Sequence, residues 1–261
     1  DMNYNLNFNH PIDHTNSGST ATFRSDELNV SYIEMGGDFH DAESGARARL
    51  MLQFGTRATG VPRNDNTPLR GQFDLYTALR FVTEGYVGMH YNKMHGINID
   101  VGIFKSYVGL MGYNNFENWN YQNSFTSDNT PWFFTGMRIQ TFPTDRLKLE
   151  YWVINGWQTY GMFNDQPGVG VQAIYRPDEN TSILASAYGG WDTPNTPGRI
   201  RFHTDNSLLY RYLKKSGASI PKAAFSITGD IGFESGGGVV PFGGNPTTPA
   251  QNFLSWMFYN R

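Results

Sequence analysis

Apolar and polar residues alternate one by one over long parts of this chain. In 45–54, Ala46, Ala48, Leu50, Leu52 and Phe54 share one parity, and Arg47, Arg49, Met51 and Gln53 the other. In 146–157, Leu147, Leu149, Tyr151 and Val153 oppose Lys148, Glu150, Trp152 and Ile154. In 223–234, Phe225, Ile227, Ile231 and Phe233 oppose Ser226, Thr228, Asp230 and Glu234. Successive side chains of a strand point to opposite faces, so this period sets one face against an apolar phase and the other against water. The same pattern predicts about twelve strands, at 3–9, 27–35, 45–54, 79–92, 96–105, 132–142, 146–157, 168–176, 181–191, 201–213, 223–234 and 251–260.

The connections between these segments sort by length. Long ones (10–26, 55–78, 106–131, 158–167, 192–200, 235–250) alternate with short ones, except that 214–222 is of middling length. Pro143-Thr144-Asp145 and Arg176-Pro177-Asp178-Glu179-Asn180 carry Pro and Asp where tight turns favour them. Transmembrane barrels place short turns at one membrane surface and long loops at the other, whereas a soluble sandwich has no reason to sort its loops. The pattern therefore predicts an all-β fold, a transmembrane antiparallel up-and-down β-barrel formed by residues 1–261 as one domain. Both ends fall inside predicted strands, so a chain trimmed from a larger barrel is the expectation.

Composition permits this reading without requiring it. Charged residues make up 16% and aromatic residues 15% of the 261 positions, against about 25% charged in ordinary soluble domains. Mean hydropathy is negative, as expected where alternate strand residues face a polar lumen. A formal charge of −3 without a basic block argues against nucleic acid as a partner. The absence of cysteine excludes disulfides and thiolate metal sites. No apolar stretch reaches the roughly 18 residues of a spanning helix. The first residues lack the basic and apolar regions of a signal peptide, so an exported mature form is expected. Tyr107, Trp119, Tyr121, Trp132, Phe133, Trp152, Trp157, Tyr175, Tyr188 and Tyr210 lie near predicted strand ends, where interfacial girdles would put them.

Several stretches together resemble the OmpL-like β-barrel porin family. They are Gly96-Ile97-Asn98-Ile99-Asp100-Val101-Gly102-Ile103-Phe104, Asn118-Trp119-Asn120-Tyr121, Thr130-Pro131-Trp132-Phe133-Phe134-Thr135-Gly136-Met137-Arg138, Val153-Ile154-Asn155-Gly156-Trp157 with Gly168-Val169-Gly170, and Arg201-Phe202-His203-Thr204-Asp205-Asn206. The resemblance covers well over half the chain. It implies a bacterial outer-membrane barrel with a pore role, and family barrels usually carry further strands.

The polar parity supplies the candidate lumen-lining residues: Arg47, Arg49, Gln53, Arg138, Gln140, Lys148, Glu150, Gln172, His203, Asp205, Arg211, Thr228 and Asp230. Mixed charges at such positions set local fields in a water-filled path, or pair with one another in a plugged one. Other chemistry is weaker. His90, His95 and Asp100 match no zinc spacing. His203, Asp205 and Ser207 stand side by side on one strand, not in a relay, and no Gly-x-Ser-x-Gly elbow occurs. The oxygen-rich stretches 114–128 and 192–198 read as polar surface before calcium loops, and the glycine run 236–238 as a flexible connection. Loop 106–131 holds Tyr113, Phe116, Trp119, Tyr121 and Phe125. So many aromatics are costly to leave in water, which points either to a constriction folded into the lumen or to a contact with a partner subunit.

The expectation is a passive channel for small hydrophilic solutes, seated in outer-membrane lipid, non-enzymatic and needing no cofactor. The alternative is a structural barrel that anchors a larger assembly through membrane-protein partners or further copies of itself.

Overall fold

The computed structural model describes residues 1–16, 22–65, 74–162, 164–193, 196, 198–213, 223–235 and 251–261. The 236–238 glycine run and most of the connections 214–222 and 235–250 lie outside them. Eleven strands form one antiparallel sheet in which each is bonded to its sequence neighbours. They are β3 (Ile33–His40), β4 (Ala46–Phe54), β5 (Val82–Tyr91), β6 (Ile97–Lys105), β7 (Phe133–Thr144), β8 (Leu147–Ile154), β9 (Gly168–Tyr175), β10 (Thr181–Gly190), β11 (Arg201–Leu213), β12 (Ala223–Glu234) and β13 (Gln251–Asn260). Among the described residues the sheet is open, with β3 and β13 at its edges. Among the described residues three short α-helices, α1 (Arg57–Gly60), α2 (Leu75–Leu79) and α3 (Phe125–Asp128), and two 3-10 turns lie in the long connections.

The first two predicted strands need correction. Segment 3–9 contributes only β1 (Met2–Tyr4), and 27–35 divides into β2 (Leu28–Val30) and the start of β3. β1 pairs with β2 in a sheet of its own. The Asp1 ammonium donates to the Tyr32 carbonyl at 2.5 Å, and the Asn3 amide to the Tyr121 hydroxyl at 3.0 Å. The described residues of 1–32 are thus a lobe at the long-loop end and not a stave of the wall. Its residues have short polar side chains that bond locally, which competes with joining a long ladder.

The short turns follow local chemistry. The Asp178 carboxylate accepts the Asn180 amide at 2.7 Å and the Thr181 amide at 2.9 Å. Those amides hold its carboxyl below the usual range. Asp41 accepts from the Ser44 hydroxyl at 2.5 Å, and Gly45 takes a φ of +76° that glycine adopts without strain.

Register carries the two parities around the whole sheet. One row of cross-strand neighbours runs Arg47, Gly88, Asp100, Arg138, Trp152, Gly170, Tyr188, His203, Gly232, Phe253. The next runs Asn98, Gln140, Glu150, Gln172, Ser186, Asp205, Asp230, Ser255. These rows make a covered face, with Asp100 and Asp230 wholly buried. The opposite parity is bare and apolar: Leu50, Val87, Val101, Val169, Ile183, Ile231 and Leu254 are all exposed. Lys105 on β6 reaches Glu34 on β3 at 2.6 Å. Three strand spacings would hold these roughly 14 Å apart in a flat sheet, so the wall curls toward its covered face.

Candidate functional site

Loop 106–132 is what covers that face. Tyr107 stacks on Trp152 with centroids 4.8 Å apart and on Phe134 at 5.1 Å. Its hydroxyl donates to the Ala187 carbonyl at 3.0 Å, and its own carbonyl accepts from the Gln172 side chain. Gly170 lies beneath the ring, where a Cβ would collide with the hydroxyl. Toward β4, Tyr113 donates to Gln53 at 2.7 Å. Toward β13, Thr126 in α3 pairs its hydroxyl with Ser255 at 2.7 Å. The loop therefore spans the wall from one edge region to the other. Of the loop's aromatics Tyr113 takes the inward placement, while Phe116, Tyr121 and Phe125 are exposed.

A buried arginine fixes the loop. Arg57 in α1 donates to Asn115 Oδ1 at 2.6 Å and to the Tyr113 carbonyl at 2.7 Å. Its guanidinium lies 4.8 Å from the Tyr113 ring and 5.6 Å from that of Trp132. Tyr32, Val61, Tyr113 and Trp132 pack around it as one buried cluster. Sequence reading had no signal for this contact, because its partners come from three separate connections.

The predicted lumen residues share the covered parity. Arg49 holds Asp38 and Glu84, each at 2.8 Å. Asp100 is clasped by Arg138 at 2.7 Å and Arg47 at 3.2 Å. Lys148 and the Gln140 amide both reach Glu150 Oε1 at 2.7 Å. Asp205 accepts from Thr228 at 2.8 Å, and Asp230 lies 3.1 Å from His203 Nδ1. Arg211 sits apart, at the short-turn rim, donating to the Glu179 carbonyl at 3.0 Å. Glu34, Glu84, Asp100 and Lys105 complete the network. Alternation with Val87 marks Glu84, and alternation with Ile99 and Val101 marks Asp100; Lys105 has the parity of Ile99, Val101 and Ile103, so alternation does not identify it.

The weaker candidates are kept apart. His90 bonds Asn98 and Asn92, His95 bonds Asp145 at 2.8 Å, and Asp100 is held by its arginines. Among the described residues no group of three or more His, Asp and Glu is placed to hold a metal. His203 faces Asp230 while Ser207 bonds Thr228 at 2.9 Å, so these three form no nucleophilic relay. The aromatic girdle is only partly realised. Tyr175 and Tyr210 point outward at strand ends, but Tyr107, Trp132, Phe133, Trp152 and Tyr188 are buried.

This is a wall with an apolar outside and a charged inside. The family described as "Putative beta-barrel porin-2, OmpL-like" matches residues 1–258. The chain belongs to this family. No curated protein and no solved structure matches it. Membership makes it an outer-membrane β-barrel of the porin type, of Gram-negative cells, crossing the bilayer with strands. The bare face of this porin-family chain is apolar, and no helix among the described residues is long and apolar enough to cross a membrane.

Proposed function

We propose that the chain is a passive outer-membrane channel for small hydrophilic solutes, narrowed by loop 106–132. One observation carries the reading: the ion-paired face of the wall is the one its own loop covers, while the apolar face is exposed among the described residues. A polar wall opposite an inward loop bounds a water path whose charges select what passes. Arg47, Arg49, Arg138 and Lys148, with the carboxylates beside them, line that path.

Planar-bilayer recording tests this. Reconstituted protein gives discrete conductance steps, and the double substitution Arg47→Glu with Arg49→Glu shifts the reversal potential in a KCl gradient toward cation selectivity. An unchanged reversal potential sinks the lining assignment, and no conductance at any voltage sinks the channel.

A second reading draws support from the loop's place within the curl. Beside it lie a cavity of about 120 Å³ bounded by Leu110, Met111, Trp119, Leu209 and Tyr259 and one of about 340 Å³ at Asn129, Trp157, His203 and Phe253. A plugged barrel that anchors membrane-protein partners through its outer loops would be packed this way. Conductance that arises only after deletion of residues 109–129 favours the plugged barrel.

A further inference from the structure

Carboxylates on the covered face come with cations, with one exception. Glu34 has Lys105 at 2.6 Å, Asp38 and Glu84 have Arg49 at 2.8 Å, Asp100 has Arg138 at 2.7 Å, Glu150 has Lys148 at 2.7 Å, and Glu234 has Arg201 at 3.5 Å. Asp205 and Asp230 have no lysine or arginine within 4 Å among the described residues. They are direct cross-strand partners on β11 and β12. Side chains so placed have Cβ atoms about 5 Å apart, and like charges there repel.

Burial sharpens the conflict. Asp205 is 2% exposed and Asp230 is wholly buried. Neither oxygen of Asp230 accepts a hydrogen bond. Asp100, equally buried, differs in being held by two arginines. His203 Nδ1 lies 3.1 Å from Asp230 Oδ1 but outside hydrogen-bond geometry, and it too has no hydrogen-bond partner. A buried anionic pair costs several kcal/mol unless opposite charge reaches it.

The surroundings select the kind of charge. Ser207 and Thr228 hydroxyls lie on Asp205 Oδ1, and Ser255 is the cross-strand neighbour of Asp230. The backbone at Gly109 comes so close that a Cβ there would stand 3.0 Å from Asp205 Oδ2. Thr126 closes the other side through Ser255. Two carboxylates and several hydroxyls form an oxygen donor set, which suits hard cations, and a divalent ion neutralises both charges at once. Calcium tolerates such irregular oxygen shells and completes them with water, whereas magnesium demands a near-octahedral one.

We infer that Asp205 and Asp230 form a binding site for one calcium-class divalent cation, set between the wall at β11–β12 and the loop that covers it. The site does not depend on conduction. Occupied, it ties the loop's Gly109 and Thr126 regions to the wall through a shared ion.

Equilibrium dialysis of the full chain, folded in detergent and stripped with chelator, against radioactive calcium tests the inference. One calcium binds per chain, and Asp230→Asn and Asp205→Asn each weaken binding by at least about tenfold, while Asp38→Asn binds as before. Asp230→Asn without calcium is at least as resistant to urea as the unsubstituted chain, because the repulsion is gone. Should a variant fail to fold, calcium-dependent protection of loop 106–132 from protease in the unsubstituted chain stands as the second measure. Absence of stoichiometric calcium binding, or unchanged affinity in Asp230→Asn, overturns the site in favour of a proton shared by the pair. Calcium binding without conductance retires the channel alone; conductance without calcium binding retires the site alone.

Discussion

Replacing Arg57 with methionine keeps similar bulk at the centre of the loop clasp and removes every donor. Arg57 is wholly buried and gives hydrogen bonds of 2.6 and 2.7 Å to Asn115 and the Tyr113 carbonyl. Leaving those two oxygens without donors costs ~1–3 kcal/mol each. The ring contacts of the guanidinium add about 2 kcal/mol in a desolvated setting. Against this, the variant no longer buries a charge that has no carboxylate within 4 Å among the described residues, an offset of several kcal/mol. The balance is about 2 kcal/mol toward an undocked loop, or roughly thirty-fold in its population. Limited proteolysis of the barrel in lipid vesicles reads that population when opening is fast relative to cleavage. Cleavage within 109–129 should accelerate by about that factor, with the wall intact by gel mobility. Arg57→Lys keeps the charge without the planar fork and should lie between the two. If methionine changes the cleavage rate by less than about twofold, the arginine does not hold the loop and this accounting is wrong.

Other outcomes follow from the same geometry. Val101→Arg puts a cation mid-strand on the bare face and should cost ~2–4 kcal/mol of folding free energy in lipid, read by urea titration in vesicles; Gln140→Arg on the covered face should cost clearly less. Gly170→Ala places a methyl group against the Tyr107 ring and should destabilise by ~1–3 kcal/mol, with partial recovery when Tyr107→Leu is added. The Asp178 turn gives a pH signature. Its carboxyl titrates below the unfolded value of about 3.9, so its contribution is present above that pH and is lost as pH falls through the lower folded value. Hydrogen exchange at Asn180 and Thr181 should accelerate, relative to neighbouring amides, on acidification through that window, and Asp178→Asn should remove the dependence.

Much of the wall was legible because a strand's parity is written in adjacent residues. Leu147 to Ile154 and Phe225 to Glu234 declare both faces without reference to anything distant, and the structure keeps their bounds within a few residues. The thirteen polar positions were chosen the same way; they share the covered parity, with Arg211 at a turn where the register shifts beyond Tyr210. What covers the polar face was not legible. Tyr107 meets Trp152, Gln172 and Ala187, and Arg57 meets Asn115, through contacts that no periodicity records. The lobe at 1–32 misled for a related reason. Short apolar and polar alternation at Met2 to Phe8 looks like a stave, but Asn5 donates to the Arg24 carbonyl, the Asn7 amide to Asp26 and the Asn9 amide to Asn7, which ties the segment into the lobe.

Gly170 has a bearing on how such proteins diversify. Surface loops of barrels are commonly interchangeable because their sequences answer to nothing in the wall. Here the wall carries the imprint of one loop, a missing side chain shaped to a single tyrosine ring. Transplanting 106–132 into another barrel, or receiving a foreign loop in its place, demands a matching change on β9. The Asp178 carboxylate takes its hydrogen bonds from Asn180 and Thr181, within its own turn, and is free of that debt. Inheritance should therefore treat the inward loop and its wall as one unit and the tight turns as separate ones.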